Sequence, residues 1–152
     1  MAGWTNKGKY KLLDWGLRNT APPTNFQVAL VTVAASVLPD TNTFSELTEI
    51  VVGNGYAAGG TVIAAGSVSF DVLTEDDTND RGLIQIKDLV WTASAGALPA
   101  SGSGARYAVL TDDAGSAGVR EVYFSWDLTS DRSVSSGQTL TLQNCELRIN
   151  EA

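Results

Sequence analysis

The side chains able to do acid–base, nucleophilic or metal chemistry are few, and their types are restrictive. The chain has no histidine and a single cysteine. That excludes a Ser–His or Cys–His dyad, an imidazole base and a histidine metal ligand. Cys145 sits in an alternating apolar run and reads as a small buried hydrophobe, not a nucleophile. Zinc and iron–sulfur sites lack ligands. What remains is carboxylate chemistry, concentrated in Glu75, Asp76, Asp77 and Asp80. Two carboxylates at the right separation suffice for glycoside hydrolysis. Such a pair needs an aromatic-lined cleft, and no aromatic residue accompanies this cluster. Asp and Asn favour turns because they hydrogen-bond their own backbone, so the segment reads as a solvated hairpin turn. Asp76, Thr78 and Asp80 also place oxygens at alternate positions, as a calcium loop does. Position twelve of that loop, however, is Lys87 where a bidentate glutamate is needed. No catalytic residue, metal or cofactor is expected, and the chain reads as non-enzymatic.

The elements that position these residues are mainly β. At 152 residues the chain is long enough to bury one core as a single domain, 1–152. Its abundance of small and β-branched residues, punctuated by glycine, suits an all-β sandwich or barrel. Residues 7–18 form the one helical pattern, with Asn6 as its N-cap. Tyr10, Leu13 and Leu17 make an apolar stripe opposite Lys9 and Lys11. Pro22 and Pro23 end the helix. Residues 26–33 are apolar on both faces, which predicts a strand buried on both sides. Thr43 and Glu46 have capping-box spacing, predicting a short helical turn over 45–50. Residues 53–60 read as a flexible glycine loop.

From residue 67 onward the pattern is alternating. Val68, Phe70 and Val72 point inward in one strand; residues 75–80 turn, and 82–91 return. Ile84 and Ile86 have opposite parity to Leu89 and Trp91, which predicts a bulge near Lys87 and Asp88. Strands follow at 106–111, at 119–127 (Val122, Phe124 and Trp126 alternating) and at 139–149. In the last, Leu140 and Leu142 change parity with Cys145, Leu147 and Ile149, predicting a second bulge. Trp91 and Trp126 read as core. About eight antiparallel strands with one N-terminal amphipathic helix result.

Charge divides the chain unevenly. In residues 1–18, Lys7, Lys9, Lys11 and Arg18 stand against Asp14 alone, a local charge of +3. The remainder, with six basic and sixteen acidic side chains, carries −10, and the whole carries −7. A basic arm and helix (1–20) is thus joined to an acidic β body (21–152). An acidic protein repels nucleic acid, so none is expected as partner. No apolar run approaches the roughly 20 residues that span a bilayer, and the N-terminus does not read as a signal peptide, so synthesis in the cytoplasm is expected. The basic helix either docks on an acidic partner surface, with Trp4 and Trp15 as anchors, or closes the open end of its own β body.

Seven stretches carry a resemblance: residues 5–10 (TNKGKY), 23–32 (PTNFQVALVT), 45–50 (SELTEI), 70–80 (FDVLTEDDTND), 90–94 (VWTAS), 127–132 (DLTSDR) and 136–140 (SGQTL). Together the chain resembles the capsid decoration, or cement, proteins of tailed bacteriophages. The resemblance implies a jelly-roll or tulip-like β fold and a place on the outer surface of the virion head. It also implies a homotrimer, the major capsid protein as partner, and neither enzymatic activity nor cofactor. Trp4, Lys7, Lys9, Lys11, Trp15 and Arg18 are the expected capsid or subunit contacts. The alternative is a tail-fibre or tail-tip component that binds a host surface glycan. That reading requires exposed aromatics in loop 53–60 or loop 97–104, where only Tyr56 qualifies.

Overall fold

The computed structural model describes residues 3–33 and 37–150. The protein is a mainly β sandwich with one N-terminal helix, α1 (Asn6–Leu17). Ten strands are described: β1 (Gly3–Trp4), β2 (Asn25–Val31), β3 (Thr61–Ala64), β4 (Val72–Asp76), β5 (Arg81–Ile86), β6 (Leu89–Thr92), β7 (Ala105–Asp112), β8 (Val122–Arg132), β9 (Thr139–Leu142) and β10 (Cys145–Asn150). They form a five-stranded sheet ordered β1-β8-β7-β2-β3, a three-stranded sheet β10-β5-β4 and the pair β6-β9. Every pairing is antiparallel.

β2 is the central beam, and its unbroken apolar run has the predicted consequence. Phe26, Val28 and Leu30 face the main core with Trp91, Leu98, Leu140 and Leu147. Ala29 and Val31 face a second cluster with Val37, Phe44, Tyr107, Val109 and Val122. That second face is closed by the segment after β2, where Phe44–Glu46 forms one 3-10 turn, shorter than predicted. Glu46 accepts a hydrogen bond from the Thr43 backbone N–H (2.7 Å), as the spacing foretold.

The parity changes are real, but they are not bulges. Ile86 pairs with Cys145, and Leu89 with Leu142, so register is unchanged across two unpaired residues on each side. Lys87–Asp88 and Gln143–Asn144 break together, with Asn144 at φ +53°. The ribbon bends there and passes from one sheet to another, which lets Ile86, Leu89, Trp91, Leu142, Cys145 and Leu147 all be buried.

Two other expectations are corrected. Residues 67–69 are a turn, so Val68 is 82% exposed and the strand begins only at Val72. Residues 53–60 contain a tight Gly53–Tyr56 turn with Asn54 and Gly55 at positive φ. Tyr56 is consequently 2% exposed; its hydroxyl donates to Glu49 Oε1 (2.8 Å) and accepts from the Leu30 N–H (2.9 Å).

Candidate functional site

The N-terminal segment docks on a defect in the five-stranded sheet. Leu110 pairs with Phe124 but Thr111 pairs with Val122, so Tyr123 is an extra residue in β8. This bulge points both Tyr123 and Phe124 into the main core and frees backbone carbonyls from the β7 ladder. Thr5 takes them up. Its N–H donates to Tyr123 O (3.0 Å), its hydroxyl donates to Val122 O (2.6 Å), and the same hydroxyl accepts from Gly8 N (2.9 Å). Thr5, not Asn6, is therefore the N-cap. One side chain satisfies a helix donor and a bulge acceptor together.

Gly8 then lies directly on the Tyr123 backbone, where a Cβ would overlap the carbonyl. The face of α1 toward the body is Gly8, Leu12 and Trp15, spaced i, i+4, i+7. Trp15 packs edge-on against Tyr123 (5.4 Å) and Phe26 (6.1 Å). Trp4 packs edge-on against Phe124 (5.1 Å), and its indole donates to Arg148 O (2.7 Å). Lys7 and Lys11 converge on Glu121, at 3.4 and 3.1 Å, and the Tyr123 hydroxyl donates to the same carboxylate (3.1 Å).

Of the six expected contact residues, Trp4, Lys7, Lys11 and Trp15 are thus tied to the chain's own body. Lys9 and Arg18 remain outside. Arg18 keeps a loose pair with Asp14 (3.8 Å), and Lys9 has no partner among the described residues. The stripe of Tyr10, Leu13 and Leu17 also faces out, at 53%, 60% and 80% exposure. Sequence reasoning found the stripe but not its direction. The signal was Gly8, since a glycine inside a helix marks close packing.

The same docking leaves an apolar cleft of about 440 Å³ between α1 and the β4–β5 hairpin. It is lined chiefly by Leu12, Trp15, Phe26, Phe70, Leu73 and Tyr123. The acidic segment lies outside this cleft. Asp76 accepts from Asn79 (2.9 Å) and Arg81 (2.7 Å), and these bonds hold its carboxyl below the usual range. Among the described residues, no group of three or more His, Cys, Asp or Glu is placed to hold a metal ion. Burial pushes the Cys145 thiol up to about 12, which keeps it protonated at neutral pH.

Glu121 gives the docking a pH dependence. Burial raises its pKa, but Lys11, Tyr123 and Lys7 outweigh that and hold it below its ordinary 4.5. A depressed folded value stabilises above the unfolded pKa and is lost as pH falls through the folded one. Glu121→Gln should therefore cost about 1 kcal/mol at neutral pH, and the difference from wild type should shrink below about pH 4. Urea titrations of both proteins across that range measure it, and the shared carboxylates cancel in the difference.

Compared with family models, curated proteins and solved structures, the chain matches none.

Proposed function

We propose that this chain is a non-enzymatic structural virion protein that binds the outside of a phage head and stabilises the capsid by bridging capsomers. The observation that carries the reading is the outward face of α1. The helix is held at its inner face by Thr5, Gly8, Trp15 and the Glu121 ion pairs. It presents Tyr10, Leu13 and Leu17, flanked by Lys9 and Arg18, to the surroundings. A rigid apolar stripe with cations beside it suits docking on an acidic protein surface. Each large apolar side chain it buries would contribute roughly 1.5–3 kcal/mol. A protein that binds the assembled shell better than separated capsomers stabilises the shell by mass action. The sequence resemblance supplies the identity of the shell, namely the major capsid protein of a phage head.

The tail-fibre alternative loses its one aromatic candidate, because the Tyr56 ring is buried against Trp91. The test is to add purified protein to heads lacking it and measure copies per particle and the temperature at which heads rupture. Hundreds of copies with a higher rupture temperature are expected. Absence of head binding, or binding of a few copies at the tail, would overturn the proposal.

A further inference from the structure

The two walls of the apolar cleft are fixed independently of each other. α1 is seated on the bulge at Tyr123 through Thr5 and Gly8. The β4–β5 hairpin is held from its other side by β10, paired along β5 from Cys145–Ile86 to Asn150–Arg81. Closing the cleft would lift one wall off its own support. Its volume of about 440 Å³ falls in the size range of small-molecule sites.

The lining is aromatic on every side: Trp4, Trp15, Phe26, Phe70 and Tyr123 all contribute. Trp15 meets Tyr123 and Phe26 edge-on, and Phe26 meets Phe70 in the same way (5.5 Å). The faces of aromatic rings attract the edges of further rings, and they attract cations.

Asp71 is the one charged residue in the lining. Its N–H donates to Gln85 O (3.1 Å), but its exposed carboxylate has no hydrogen-bond or ion-pair partner among the described residues. Lys9 is not part of the cleft, and the acidic hairpin tip lines a separate depression. Asp71 therefore sets the local charge. The chain as a whole carries −7, and that field also favours a cation over an anion.

We infer that the cleft binds a small aromatic ammonium, its rings among the five aromatic side chains and its charge at Asp71. An aromatic or fatty acid would meet Asp71 with the wrong sign. A neutral hydrocarbon would fill the apolar space and leave the carboxylate unmatched. The site uses Leu12 and Trp15 on the inner side of α1, whereas head attachment uses Tyr10, Leu13 and Leu17 on its outer side. It is thus a second binding function, separate from attachment.

The experiment titrates the full chain with naphthylethylamine, naphthylethanol and naphthylpropionate, which share an apolar body and differ in charge. Two-dimensional NMR reads binding at the indole N–H signals. The Trp15 signal should shift, while that of Trp91, buried in the core, should not. The amine should bind a few-fold more tightly than the alcohol and about tenfold more tightly than the acid, because an exposed carboxylate adds only modestly to each difference. Asp71→Asn, at an exposed position, should leave the melting temperature and alcohol binding unchanged and bring the amine down to the alcohol. No shift at Trp15 with millimolar amine, equal affinity for amine and acid, or an amine preference that survives Asp71→Asn would overturn the inference. These outcomes are read on the isolated chain and leave the head-binding proposal, read on heads, untouched.

Discussion

Gly8→Ala is expected to lower stability by about 3 kcal/mol, although alanine is the better helix former. Helix propensity alone predicts the opposite sign, a gain of about 1 kcal/mol. The loss arises because a Cβ at Gly8 would overlap the Tyr123 carbonyl, and backbone on both sides leaves no flexible group to give way. Moving α1 outward would stretch the Thr5 bonds to Val122 and Tyr123 and withdraw Trp15 from Phe26. Gly16, in the same helix, faces open space, so Gly16→Ala should be neutral or stabilising. Denaturant midpoints of the two variants measure the contrast. Trypsin should also cut Gly8→Ala faster at Lys7, Lys9 and Lys11. Equal midpoints for the two variants would refute the close-docking account.

The second large effect belongs to head binding. Leu13→Ser combined with Leu17→Ser removes two of the three apolar side chains of the outward stripe while leaving the body intact, since both are largely exposed. Folding stability should change by less than about 0.5 kcal/mol. Losing two apolar contacts of about 1.5 kcal/mol each should weaken head affinity roughly a hundredfold. Lys9→Glu with Arg18→Glu should weaken it further, and mainly at low salt. These two cations are the informative ones. Replacing Lys7 or Lys11 would break the Glu121 pairs and confound attachment with folding. Wild-type occupancy by the double serine variant would remove α1 from the contact.

How much could be read in advance differs from element to element. β2 announced itself through an apolar run on both faces, and burial of both faces followed. The parity changes at Lys87–Asp88 and Gln143–Asn144 were visible, but their cause was not. A bulge in one strand and a joint bend of two paired strands leave the same mark in a single sequence. The bulge at Tyr123 left no mark. Val122, Phe124 and Trp126 alternate as if the strand were straight, and the extra residue exists only relative to β7. Val68 misled for a related reason: alternation over three residues is equally compatible with a turn.

By itself, the sequence determined what kind of protein this is. It set a β-rich chain with one helix, no imidazole, one thiol and a basic N-terminus on an acidic body, because composition and periodicity are local properties. Only the tertiary structure decided which way that helix faces. Its rotation follows from a glycine meeting a bulged strand 115 residues away and from two lysines meeting one glutamate. Those contacts turn Trp4, Trp15, Lys7 and Lys11 inward and leave Tyr10, Leu13, Leu17, Lys9 and Arg18 outward. An amphipathic pattern names a stripe, but the partner surface selects the side that is buried.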